Sequence, residues 1–218
     1  MVTQLSARRM TMAFIAMMAW FALALQLYIL LRNGPASGIR PIASLINFLS
    51  YFTILCNLLV AISLSVIWLS PQSSAGKFFS RVKSQTAIAV YIFIVGLVYN
   101  LVLRNIWSPT GWQLLADNLL HVLVPVAYLL YWFTFTQRKI LEWPDILPWL
   151  IFPAIYLVYS LLRGAVTGWY PYPFVHAGQL GYTKVALNSL LVLIAFTLAG
   201  LGMIFVNRRT KRITPAKS

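Results

Sequence analysis

Six long apolar runs dominate this chain, about Thr11–Leu31, Ile42–Leu69, Gln85–Leu103, Leu114–Phe135, Ile146–Leu162 and Val185–Val206. Asp117 is the only Lys, Arg, Asp or Glu inside them. A helix needs roughly 20 apolar residues to cross the hydrocarbon of a bilayer. Backbone N–H and C=O groups meet no water there, so such runs form helices, which satisfy those groups internally. The expected fold is therefore all-α: a polytopic membrane protein in which residues 1–218 make one six-helix transmembrane domain. Composition agrees, with 61% hydrophobic and 9% charged residues, against about 45–50% and about 25% in soluble domains. The second run is long enough for a tilted span plus an interfacial turn. Arg8, Arg9 and Ala22-Leu23-Ala24 make the first run look like a signal peptide, but apolar sequence continues to Leu31 and favours an uncleaved helix.

The distribution of charge predicts an orientation. The N-terminus, the loops after runs two and four, and the C-terminus hold Arg8, Arg9, Lys77, Arg81, Lys83, Arg138, Lys139, Arg208, Arg209, Lys211, Arg212 and Lys217. The other three loops hold only Arg32, Arg40, Arg104, Arg163 and Lys184. The positive-inside rule then places both termini in the cytoplasm, N-in and C-in, as an even number of spans requires. Basic residues at the ends of apolar runs set topology and touch lipid phosphates, so the formal charge of +14 does not imply nucleic acid. Cys56 is the sole cysteine, which excludes a disulfide framework and a thiol-ligated metal.

His121 is the most unusual residue within the runs. An imidazole in hydrocarbon is costly and faces a packed interior or a wet cavity. Asp117 lies four residues before it on the same helical face, and Pro125 four residues after it. Proline lacks an N–H, so the His121 carbonyl is expected to lose its helical partner. One reading is a histidine hydrogen-bonded inside a bundle; the other is a functional group.

Run two carries a second polar cluster. At about 100° per residue, Asn47, Ser50, Thr53 and Asn57 share one face and must point inward. Helix–helix glue is one reading of this stripe. The other is a site shared with His121. Thr53 lies roughly 10 residues into run two and His121 roughly 7 into run four, about 15 and about 10 Å from the outer surface at 1.5 Å per residue. Both side chains are thus expected in the outer half of the bilayer. A threonine hydroxyl becomes a nucleophile once a base takes its proton. His121 suits that role, with Asp117 to orient the ring and Ser50, Asn57 or Asn118 to donate to a developing oxyanion.

On the outer side, spans one, three and five end in Leu31-Arg32, Leu103-Arg104 and Leu162-Arg163. These arginines read either as snorkelling interfacial residues or as a rim in which Arg104 or Arg163 holds a carboxylate. The last outer loop carries Gly168-Trp169-Tyr170-Pro171-Tyr172-Pro173-Phe174. Trp169, Tyr170 and Tyr172 read as an interfacial anchor or as a substrate-contacting lid, with His176 a loop histidine beside them.

Ser50-Tyr51-Phe52-Thr53, Asp117-Asn118-Leu119-Leu120-His121 with Pro125, and Gly168 to Phe174 resemble segments of the androgen-induced and androgen-dependent membrane proteins. The resemblance is to that family's small bacterial six-span branch and covers nearly the whole chain. It implies an intramembrane threonine hydrolase of fatty acid esters of hydroxy fatty acids, with Thr53 as nucleophile and His121 as base. It also implies a bacterial inner membrane location with the site toward the outer leaflet. The chain departs from the eukaryotic pattern at Cys56, where an acid stands three residues after the threonine. It departs again at Asp117 and Asn118, where a further histidine precedes the catalytic one.

The expected function is therefore hydrolysis of a lipid ester, with membrane lipids or a fatty-acid ester as partner and no cofactor or metal. The alternative is a lipid-binding or transport protein that uses the same polar cavity without chemistry. A haem or metal protein is disfavoured because His121 and His176 are the only histidines, and three acids with one cysteine give no ligand cluster.

Overall fold

The computed structural model describes residues 2–34 and 38–210; Lys211, Arg212 and Lys217 of the charge pattern lie outside them. Six helical segments are long and apolar enough to cross a membrane: Leu5–Asn33, Phe52–Leu69, Val82–Asn105, Gly111–Phe135, Trp143–Thr167 and Ala177–Arg209. The elements are α1 (Val2–Asn33), α2 (Pro41–Leu49), α3 (Phe52–Leu69), α4 (Ser74–Ser80), α5 (Val82–Leu101), α6 (Gly111–Asn118), α7 (Val124–Phe135), α8 (Ile146–Trp149), α9 (Ile151–Thr167) and α10 (Ala177–Arg209). Among the described residues there is no strand, so the all-α, six-span expectation holds.

Apolar side chains gain nothing by leaving lipid, so packing between spans rests on small residues and polar pairs. On α1 the buried stripe Met12, Ile15, Ala16, Ala19, Ala22 and Leu23 follows helical spacing. It packs on α3, whose buried face includes Cys56, Val60, Ala61 and Leu64. α5 packs on α7, and α10 leans on α5. Some polar groups pair between spans. Trp132 Nε1 donates to Thr86 Oγ1 at 2.9 Å, and Tyr91 donates to the Trp149 carbonyl at 2.8 Å.

Two irregularities shape the site. Run two is not one continuous helix: α2 ends at Leu49, Tyr51 is extended (φ −85°, ψ 128°), and α3 starts at Phe52. Thr53 is therefore the second residue of a new helix rather than part of one continuous run.

The fourth span opens into a π turn over Leu119–Leu123 between α6 and α7, and the Val124 N–H bonds to the Leu119 carbonyl. In that i→i+5 register the N–H missing at Pro125 would have served Leu120, not His121. The expected carbonyl vacancy thus shifts by one residue. Asn57 Nδ2 fills it, donating to the Leu120 carbonyl at 3.1 Å.

In the last span Gly181 has φ 76° and ψ 156°, a conformation open to glycine, and the continuous helix follows it.

Candidate active site

The break at Ser50–Tyr51 creates a helix start inside the protein, with first-turn N–H groups that no intrahelical carbonyl can satisfy. Tyrosine hydroxyls supply the acceptors. Phe52 N–H donates to Tyr156 Oη at 3.2 Å, and Thr53 N–H donates to Tyr172 Oη at 3.2 Å. Tyr156 in turn donates to the Ser50 carbonyl at 2.8 Å. α9 and the loop after it therefore hold the start of α3 in place.

Thr53 and His121 meet. Thr53 Oγ1 lies 3.3 Å from His121 Nε2 and 3.3 Å from the Tyr172 hydroxyl. The other ring nitrogen of His121, Nδ1, faces two acceptors: the Asp117 main-chain carbonyl at 2.9 Å and the Asp117 carboxylate at 3.3 Å. Acceptors on that side favour the proton on Nδ1 and leave the Nε2 lone pair toward the threonine. Tyr99 donates to the other oxygen of Asp117, and its ring stacks on the imidazole with centroids 4.2 Å apart and planes 15° apart. The imidazole is thus fixed by a stack on one face, acceptors at Nδ1 and a hydroxyl at Nε2. Asp117 takes its expected place beside the ring, although its carbonyl is the nearer acceptor.

Asn57 joins the two halves of the pair. Its Nδ2 donates to the Thr53 carbonyl at 2.8 Å as well as to Leu120, tying the turn of Thr53 to the turn of His121. Both amide hydrogens are then engaged, so Asn57 is a positioning residue and not the oxyanion donor expected of it. Ser50 is likewise engaged, with the Ile46 carbonyl at 2.6 Å and the Tyr159 hydroxyl at 2.7 Å from its Oγ. Asn118 is half-buried and stands outside this network. The group beside Thr53 Oγ1 that can donate to an oxyanion is instead the Tyr172 hydroxyl.

A cavity of about 250 Å³ opens beside the threonine. Thr53, Tyr156 and Tyr172 line it with their hydroxyls, beside Phe52, and α5, α9 and α10 wall it with side chains such as Val98, Leu157 and Leu193. Burial pushes the Tyr172 phenol up to about 12, against the smaller opposing effect of its bonds to Thr53, so the hydroxyl remains a donor at neutral pH.

The other residues predicted for substrate contact stand apart from the cavity lining. Arg104 is exposed and donates to Asn100 at 3.1 Å. Arg163 donates to Asn47 at 2.6 Å and lies 4.2 Å over the Trp169 ring. Tyr170 stacks on His176 with centroids 4.6 Å apart. Trp169 and Tyr170 therefore anchor the loop, while Tyr172 reaches the threonine. Sequence reasoning missed Tyr99, Tyr156 and Tyr159. A tyrosine hydroxyl inside an apolar span demands a partner, and that demand was the available signal.

Among the described residues no three His, Cys, Asp or Glu side chains are grouped to hold a metal ion. No family model, no curated protein and no solved structure matches the chain.

Proposed function

We propose that the chain is an intramembrane hydrolase of lipid esters, with Thr53 as nucleophile and His121 as general base. The observation that carries this reading is the 3.3 Å approach of Thr53 Oγ1 to His121 Nε2, made by a hydroxyl that also lines the apolar cavity. Apolar walls with a few convergent polar groups suit a long-chain ester. The resemblance to fatty-acid-ester hydrolases points the same way.

In this mechanism the Thr53 oxygen attacks the ester carbonyl carbon as Nε2 accepts the hydroxyl proton. The tetrahedral oxyanion takes a hydrogen bond from Tyr172. Collapse breaks the acyl C–O bond, and the imidazolium returns the proton to the leaving alkoxide. Water, deprotonated by the same nitrogen, then cleaves the acyl-threonine and releases the fatty acid. The positive-inside distribution supports a site toward the outer leaflet, and the resemblance supports a bacterial inner membrane.

A fluorophosphonate probe and a chromogenic fatty-acid ester test the reading on detergent-purified protein. Wild type should label and hydrolyse, and Thr53→Ala should do neither while keeping its elution volume. Equal labelling of the two would end the nucleophile assignment. Lipid-ester binding with full recovery of intact ester by wild type would favour a binding or transport protein instead.

A further inference from the structure

A second cavity, about 380 Å³, lies at the opposite end of the first four spans. The residues around it are Arg8 and Arg9 near the start of α1, Ile67 and Trp68 at the end of α3, Gln85 on α5, and Thr136 just after α7. From Thr53 to Trp68 along α3 the distance is about 22 Å at 1.5 Å per residue, so this cavity is separate from the candidate active site.

Its charge is unbalanced. Among the described residues the Nε of Arg8 is buried without a hydrogen-bond partner, and the Arg8 guanidinium reaches the Tyr131 hydroxyl at 3.5 Å. Two neutral groups of the wall are paired with each other: Thr136 Oγ1 donates to Gln85 Oε1 at 3.1 Å, and Gln85 Nε2 donates to the Ser80 carbonyl at 3.1 Å. Among the described residues no carboxylate lines the cavity. The 3 acids of the chain are Asp117, Glu142 and Asp145. A guanidinium with an unpaired buried donor is costly, and planar guanidinium groups match phosphate oxygens. Beneath the arginines the cavity presents Met12, Ile67 and Phe135. This is an anionic head site over an apolar floor.

We propose that this cavity binds a phosphate monoester or diester, and that Arg8 and Arg9 are its ligands. The apolar floor fits a lipid that carries the phosphate as its headgroup; free phosphate presents the same oxygens without the tail. The site needs no hydrolytic activity and is expected to survive Thr53→Ala.

Binding to the full-length protein in neutral detergent is measured by native mass spectrometry, with dioleoyl phosphatidylglycerol, dioleoyl phosphatidylcholine or inorganic phosphate added. The phosphatidylglycerol should bind more tightly than the zwitterionic lipid. Arg8→Gln and Arg9→Gln should each weaken it by about fivefold, the factor that ~1 kcal/mol per basic residue represents. Arg8→Lys, which keeps the charge, should retain more of the binding than Arg8→Gln and guards against a variant that merely misfolds. Displacement of the lipid by inorganic phosphate alone would support the phosphate site and assign its ligand to the solution. Equal retention of the two lipids, or unchanged retention in both glutamine variants, would overturn the proposal.

Discussion

The first four spans and the last two are packed by different rules. In an 18-residue apolar stretch of each of spans one to four, 33%, 56%, 50% and 44% of residues are buried, whereas spans five and six reach 17% and 22%. The tight half is closed by alanines on α1, by Trp132 and Tyr128 at zero exposure, and by polar pairs between spans. The loose half contributes the α9 and α10 walls of the cavity beside Thr53. His121 belongs to the tight half, and Thr53 sits on the seam between the two. Under the proposed function the contrast is a division of labour, with His121 held in the more buried spans and the space for an acyl chain walled by the less buried ones. Held groups favour a reaction because little reorganisation is needed at the transition state, and a loosely walled cavity admits a flexible ligand.

The largest break in that contrast comes from removing the base. His121→Gln should lower turnover of a fatty-acid ester by about 10²–10⁴-fold, the range for a general base, while the unfolding temperature moves little, since glutamine can still bond to Asp117. Ester-hydrolysis assays beside thermal unfolding check this. A variant within threefold of wild-type turnover would remove His121 from the chemistry.

Next is Tyr172, which belongs to the loop over the loose half. Tyr172→Phe keeps the ring stacked on Phe174, 5.2 Å between centroids, and deletes the hydroxyl beside Thr53. Turnover should fall by about 10²-fold, as for an oxyanion donor, with KM nearly unchanged. The phenol is raised to about 12 by burial, whereas in the unfolded chain it titrates near 10. The folded state therefore holds this proton more tightly, and its contribution to stability is full below about pH 10 and lost as pH climbs toward about 12. Alkaline unfolding followed by tryptophan fluorescence should show a shallower loss in Tyr172→Phe.

Much of this was readable in the sequence, and the exceptions have physical causes. Span number followed from run length. The Thr53–His121 pair followed from a polar stripe on one helix and an imidazole on another. The break at Ser50–Tyr51 was hidden because no glycine or proline marks it; its free N–H groups are met by hydroxyls 104 and 119 residues away. The oxyanion roles given to Ser50 and Asn57 were not met because helix carbonyls four residues back take a hydrogen from each, a local competition typical of Ser and Asn, and the Leu120 carbonyl takes the second from Asn57. The π turn escaped notice because proline announces a missing donor but not the register in which it is missed.

Asn57 makes the tight side of the seam testable. Asn57→Ala leaves the Leu120 carbonyl buried without a donor, at a cost of about 1–3 kcal/mol, and loosens Thr53 from His121. Thermal unfolding should fall accordingly, and turnover should drop more than binding of a non-hydrolysable ester does. A stable variant with wild-type turnover would show that the clamp does not position the pair.

The smallest effects compare the halves directly through two glycines. A Cβ at Gly96 on α5 would lie 3.2 Å from the His121 carbonyl oxygen, which is backbone fixed within the π turn. One at Gly200 on α10 would lie 2.1 Å from Ile146 Cδ1, a terminal methyl free to rotate. By distance alone Gly200→Ala is the harsher change. If the tight half yields less than the loose half, the order reverses. Gly96→Ala should then cost about 1–3 kcal/mol as overpacking and disturb turnover through His121. Gly200→Ala should be near neutral, since the gain of about 1 kcal/mol in helix propensity offsets a methyl rotation. Thermal unfolding of the two variants in one detergent decides it, because equal losses would mean that both halves resist a methyl alike and that the cavity is walled as rigidly as the base is held.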